Sequence, residues 1–166
     1  SLTGALKMVR HELKHRADIV EEYGDLPVIE CVPAQLGQVF LNLLVNAAQA
    51  IRYWGTITVR TGMHGNDEVF ISVSDTGSGI SEENLKHIFE AFYTTKPVGQ
   101  GTGLGLAVSY NIVNQHGGRI EVESELDVGT TFTVYLPVRS PKKRGSDSQP
   151  EESEADSESG GGSENE

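Results

Sequence analysis

A stripe of carboxamides on one helical face, a carboxylate at the end of a strand and a glycine-rich run ahead of a helix are the parts of this chain equipped for chemistry. Between Pro33 and Ile51 no residue is charged, yet Gln35, Gln38, Asn42, Asn46 and Gln49 recur at helical spacing. At about 100° per residue, all lie within roughly 40° of Asn42. The polar face of an ordinary surface helix carries Glu, Lys and Arg. Neutral amides suit a surface that meets something already charged, such as a phosphate with its divalent cation: the oxygen ligates the metal and the nitrogen donates to phosphate. The same stripe would also serve amides satisfied by loop backbone or by a subunit contact.

Asp75 is informative through its parity. In EVFISVSD, Val69, Ile71, Val73 and Asp75 share one face of the strand, so the carboxylate points toward the core. An inward carboxylate is costly unless it accepts hydrogen bonds, and an exocyclic amino group of adenine would supply one in a dry pocket. Gly77 and Gly79, in DTGSGI, allow a sharp turn and close backbone approach to a flat ring. The alternative use of the same residues is an Asx turn that closes the strand.

GTGLGL (Gly101, Thr102, Gly103, Leu104, Gly105, Leu106) is not a dinucleotide fingerprint, because Leu106 stands at the third glycine position and a loop precedes it. The chain has no Walker GxxxxGK[ST] either. What remains is a glycine-rich helix entry, whose free N–H groups and positive dipole end favour an anion. A flexible linker is the competing use of three glycines.

These groups need elements to hold them. Residues 1 to 16 have apolar positions at helical spacing, ADIVEEY reads as an edge strand and VIEC (Val28 to Cys31) as a short strand. Pro33 opens a core helix through Ile51, with Leu36, Val39, Phe40, Leu43, Leu44, Ala47, Ala50 and Ile51 as its apolar stripe. Two strands follow, TITVRT and EVFISVS, with a turn expected at Gly62 to Asn66. Ser81 with Glu82 and Glu83 starts a short helix. Residues 89 to 103 lack a period and form a mobile loop, whose length marks it as functional or disordered. Leu104 to His116 returns to helix and stops at Gly117 and Gly118; a hairpin, Arg119 to Glu125 and Thr131 to Leu136, ends the pattern. The predicted fold is α+β, a two-layer sandwich with a mixed, mostly antiparallel sheet of about five strands backed by about three helices.

The chain has 166 residues, 37% of them hydrophobic, enough for one domain with a real core. Residues 145 to 166 hold eight Asp or Glu and no Lys or Arg; removing them takes the net charge from -11 to -3 for residues 1 to 144. The expected organisation is an N-terminal helix and strand over 1–26, a folded domain over 27–140, and a disordered acidic tail over 141–166. No basic excess points to nucleic acid. One cysteine, Cys31, fits a reducing compartment, and no apolar run or leader points to a membrane. The expectation is a cytoplasmic location.

NLLVNA (Asn42 to Ala47), DTGSGI (Asp75 to Ile80), FEAFYTTK (Phe89 to Lys96) and GTGLGLA (Gly101 to Ala107) stand in an order that resembles the ATP-binding catalytic domain of two-component sensor histidine kinases. They look like that family's N, G1, F and G2 motifs, and the likeness runs from about Pro27 to Pro137. The wider superfamily includes gyrase, mismatch-repair proteins and a heat-shock chaperone, and has the Bergerat-type α/β sandwich with a lid over the nucleotide. The resemblance implies ATP and Mg²⁺ as ligands, with Asn46 at the metal and Asn42 assisting at metal or phosphates. It puts Asp75 on the adenine amino group, with Gly77, Gly79 and Ile80 beside the ring. Thr94, Thr95 and Lys96 would lie on the lid, with Lys96 reaching phosphate and Phe89 and Phe92 anchoring the lid base. Gly101, Thr102, Gly103, Leu104, Gly105 and Leu106 would line the triphosphate.

Hydrolytic members of the superfamily carry a Glu where this chain has Asn42, and an amide cannot take a proton from water. The resemblance therefore implies transfer to a histidine, with Asn42, Asn46 and Lys96 as the catalytic set. That histidine belongs to a dimerisation and phosphoacceptor domain, in the same full-length chain or in trans, and a response regulator is the indirect partner. His11, Glu12 and Leu13 look like the opening of the family's HExxxPL box, but no Pro-Leu pair follows. About 30 residues separate His11 from Asn42, too few for a two-helix hairpin. Rival readings are a serine kinase of the anti-sigma-factor type and a non-catalytic, ATP-gated interaction module.

Overall fold

The computed structural model describes residues 1–99 and 101–139, so the acidic tail expected over 141–166 lies outside the described residues. The core is built on helix α2 (Pro33–Ala50). Pro33 takes the first helical position, where its missing N–H costs nothing. The predicted apolar stripe is buried except at Ala50, which is half-buried: Val39, Leu43 and Leu44 are fully inaccessible, and Leu36, Phe40, Ala47 and Ile51 nearly so. Helix α1 (Leu2–Leu13) packs beside α2, and its Ala5, Leu6, Val9 and Leu13 join the same core as the rest of the molecule.

Beneath the helices lies one five-stranded sheet, β1 (Ala17–Tyr23), β2 (Gly55–His64), β3 (Glu68–Asp75), β4 (Arg119–Glu125) and β5 (Gly129–Pro137), in the order β1-β2-β3-β5-β4. Only β1 and β2 run parallel, and α2 is the crossover that parallel pairing requires. The other pairs are antiparallel. Register aligns Val59, Val73, Phe132 and Val122 in one row across four strands, a continuous apolar surface for the helices to cover. The expected α+β two-layer sandwich is what forms, with α1, α2 and α4 (Gly105–Gln115) as its main helices and α3 (Glu82–Leu85) as a single turn. Ser81 caps α3, its hydroxyl accepting from the Asn84 N–H at 3.2 Å. α4 ends in a Schellman motif: Gly117 adopts φ 74°, and the Gly118 and Gly117 N–H groups donate to the carbonyls of Val113 and Asn114.

Two local expectations fail. VIEC is not a strand: residues 24–32 leave the sheet after Gly24, and Val28 is 96% exposed. The alternation is present, since Ile29 and Cys31 pack against the core, but no neighbouring backbone is there to complete a ladder. The turn expected at Gly62 to Asn66 begins later, because β2 continues to His64. Gly62 lies opposite Phe70, and a Cβ there would sit 2.7 Å from the Phe70 ring, so the aromatic side chain occupies the space over the glycine.

Candidate functional site

β3 delivers Asp75 to the sheet end nearest the C-terminal half of α2 and the start of α4, and a cleft of about 320 Å³ opens between these elements. Asp75 sits on the helix-facing side, as its parity predicts, and is only 7% exposed. Its Oδ1 accepts from the Gly77 N–H at 2.8 Å, which is the Asx-type turn, and the same side chain lines the cleft. Burial raises the carboxyl pKa, opposed by hydrogen bonds from the backbone of Gly77 and Thr130. Among the described residues lining the cleft Asp75 is the single acid and Lys96 the single cation. Burial lowers the Lys96 pKa.

The amide stripe divides. Asn46 and Gln49 line the cleft, whereas Gln35 and Gln38 are exposed beyond it. Asn42 does not line the cleft. Its Nδ2 donates to the Gly105 carbonyl at 3.0 Å and to Ser109 Oγ at 3.2 Å, while its Oδ1 accepts from Gln38 Nε2 at 2.9 Å. Ser109 is fully buried and donates in turn to the Gly105 carbonyl at 2.8 Å. Asn42 therefore holds the first turn of α4 against α2, an amide spent on backbone.

The glycines also divide. Gly79, with Ile80, lines the cleft, and its φ of 68° belongs to the left-handed region. Gly77 does not line the cleft; a Cβ there would lie 2.6 Å from the Ala50 backbone, so its smallness serves the packing of the loop on the end of α2. Of the second glycine run, Gly103, Gly105 and Leu106 line the cleft, and Gly101, Thr102 and Leu104 do not. Leu104 is the N-cap of α4 and supplies no side-chain cap, so the first-turn N–H groups at Gly105 and Leu106 have none.

The lid segment carries Thr94, Thr95 and Lys96 into the cleft wall. Phe89 packs against the core with its ring centroid 5.3 Å from that of Tyr110, and so anchors the lid base. Phe92 does not anchor it through its side chain, which is 75% exposed on a backbone with φ 66°. It acts through backbone: the Phe92 N–H donates to the Gly103 carbonyl at 2.8 Å, joining the two ends of the lid.

Several contributors escape sequence reasoning. Tyr93 and Asn84 both line the cleft and are joined by a 2.7 Å bond from the Tyr93 hydroxyl to Asn84 Oδ1. Thr130 and Phe132 enter from β5, where their shared parity with Val134 and Leu136 was the available signal. No pattern pointed to Leu126 or to Ser109.

Among the described residues no cluster of His, Cys, Asp or Glu could hold a metal by itself. The cleft is instead lined by the Asn46 amide and by the uncapped start of α4, groups that suit a cation arriving with its own phosphate ligands.

The sequence profile of the histidine kinase-, DNA gyrase B- and HSP90-like ATPases matches residues 31–140. The chain belongs to this ATPase family. Within it, the domain is 50% identical over 115 residues to sporulation kinase E of Bacillus subtilis, covering 69% of this chain and 15% of that protein. It is also 50% identical over 118 residues to the sensor histidine kinase ZraS of Escherichia coli K12, covering 71% of this chain and 25% of ZraS. The chain thus spans a quarter or less of these two curated relatives. The fold superimposes on the nucleotide-free catalytic domain of histidine kinase ThkA with a TM-score of 0.73 at 28% identity, covering 83% of this chain and 92% of that one. The ATPase domain is therefore of the kind that forms the catalytic domain of sensor histidine kinases. No helix among its described residues is long and apolar enough to cross a membrane.

Proposed function

We propose that this domain binds ATP with Mg²⁺ and passes the γ-phosphoryl group to a histidine on a separate dimerisation domain, in the same full-length chain or in trans. A response regulator would receive the group next, and the domain would work in the cytoplasm. The observation that carries the reading is the buried Asp75 lining the same cleft as Asn46, Lys96 and the α4 N-terminus. The cleft thus combines a carboxylate that would accept a hydrogen bond from a base with an amide, an ammonium and free N–H groups that would meet phosphates.

Asp75 would accept from the adenine amino group, with Gly79 and Ile80 beside the ring. The bound Mg²⁺ would neutralise charge on the phosphate oxygens. Asn46 would hold that ion through its amide oxygen, Lys96 would donate to the outer phosphates, and Gly103, Gly105 and Leu106 would line the phosphate chain. Asn42 would support transfer by keeping α4 in place. As the bond from the β,γ-bridging oxygen to γ-phosphorus breaks, a bond from phosphorus to an imidazole nitrogen forms. ADP departs, and the imidazole proton is lost to solvent. Asp75 is the sole carboxylate among the cleft-lining residues and is assigned to the base end; the amides cannot serve as bases for water, so hydrolysis is disfavoured relative to transfer.

Calorimetry with a non-hydrolysable ATP analogue should show Mg²⁺-dependent binding. Incubation with ATP and a supplied histidine hairpin should give an acid-labile phosphoprotein. Absence of analogue binding by folded protein would refute the proposal, and an acid-stable product would indicate the serine-kinase reading.

A further inference from the structure

The Lys96 ammonium donates to Gln49 Oε1, and both residues line the cleft. Gln49 lies on the last turn of α2, three residues after Asn46, so the two amides occupy neighbouring positions on one helix face. Lys96 comes from the lid, and its N–H donates to Thr94 Oγ1 at 3.1 Å. From these contacts we infer that Gln49 is a positioning residue: it clasps the lid to α2 through Lys96 and holds the ammonium where the terminal phosphate of a triphosphate would lie. The inference rests on the ATP reading above.

The residue type suits the task. A lysine on a loop has four rotatable carbons and loses about 2 kcal/mol of rotamer entropy when fixed. A partner that restrains it before the nucleotide arrives removes part of that loss from binding. A glutamate would restrain it too, but would neutralise the charge that phosphate needs. The glutamine oxygen accepts one of the three ammonium donors and leaves the charge and the other two donors for phosphate. Lys96 is the single cation among the cleft-lining residues, so its placement matters. Its lowered pKa agrees with an ammonium drawn partly out of water.

The test uses the full chain and two readouts. In nucleotide-free protein, hydrogen exchange of the lid amides at Tyr93 to Lys96 should speed up about fivefold in Gln49→Leu, the scale of one hydrogen bond. Lys96→Met should do the same, and the double variant should exchange no faster than either single. By calorimetry, Gln49→Leu should weaken the triphosphate analogue about fivefold and leave ADP unchanged, with no further loss on the Lys96→Met background. Gln49→Glu should slow lid exchange yet weaken the triphosphate analogue, which separates clasping from charge.

Unchanged lid exchange in folded Gln49→Leu protein that still binds ATP would overturn the clasp and leave the ATP reading intact. Equal losses for ADP and the triphosphate, or additive losses in the double variant, would overturn the role toward the terminal phosphate. Wild-type protein that binds neither nucleotide, yet shows coupled lid exchange, would overturn the ATP reading and this phosphate-directed role together.

Discussion

Asn42 on α2 donates from Nδ2 to the carbonyl oxygen of Gly105, the first residue of α4, over 3.0 Å, and so ties together two helices that both contribute residues to the cleft. The contact is close enough that a Cβ on Gly105 would meet Asn42 Cγ at 3.6 Å. Asn42→Ala should cost the nucleotide-free protein about 1–2 kcal/mol, because the buried Ser109 hydroxyl and the Gly105 carbonyl lose a partner. ATP-analogue affinity should fall as well, through displacement of the α4 start. Urea denaturation without nucleotide is the decisive measurement: a residue acting solely at the metal would leave it unchanged.

Asp75 is a buried carboxylate whose ionisation costs stability. Its folded pKa is raised by burial above the ordinary value of 3.8. The protonated form is thus favoured in the fold, and the stability linked to it is fully present below the unfolded carboxyl pKa and lost as pH rises through the folded one. At neutral pH the ionised Asp75 is a cost. Asp75→Asn should therefore leave the thermal midpoint at pH 7 equal or higher, with the gain disappearing in acid. The amide has one oxygen where the carboxylate has two, so it cannot serve both the Gly77 N–H and an adenine amino group equally well. Analogue affinity should fall about tenfold or more. A midpoint that drops at pH 7 would contradict the desolvation account.

At Gly79 the loop is pressed against β4, and a Cβ there would lie 2.0 Å from the Glu125 carbonyl oxygen at a φ of 68°. The same loop is strapped by the Ile80 N–H to Ser124 Oγ at 2.8 Å and by the Asp127 N–H to the Ser78 carbonyl at 2.8 Å. Gly79→Ala must break some of these contacts, and a loss of about 2–4 kcal/mol is expected by urea denaturation. A smaller loss would mean that the loop and β4 separate easily.

Val32 caps α2 in an extended conformation without any side-chain hydrogen bond, and is half exposed. Its N–H donates to His116 Nε2 at 3.1 Å, while His116 Nδ1 pairs with the Ile112 carbonyl at 2.8 Å, so the cap backbone is already fixed. Val32→Asp should add about 1 kcal/mol of stability by accepting from the first-turn N–H groups and meeting the positive helix end. Thermal and urea unfolding both report it. No gain would mean that the carboxylate cannot reach the α2 amides.

Periodicity made much of this molecule legible. The α2 stripe, the inward parity of Asp75 and the Gly117 stop were readable because each depends on spacing along one element, and spacing is local. The four motifs likewise placed Asn46, Gly79, Lys96, Gly103 and Gly105 around one cleft. VIEC misled for the complementary reason: a strand pattern needs a neighbouring backbone, which spacing cannot provide.

By itself, then, the sequence determined the helices and strands that bear Asn46, Asp75 and Gly105, and the face on which Asp75 stands, because both follow from spacing along one element. Tertiary structure alone decided how the amide stripe is shared out, because the partners of Asn42 and Gln49 arrive from α4 and the lid, 63 and 47 residues further along the chain. It also decided what the glycines are for. At Gly77 and Gly79 the close neighbours are the backbones of Ala50 and Glu125, and a steric limit of that kind exists only once the chain has folded back on itself.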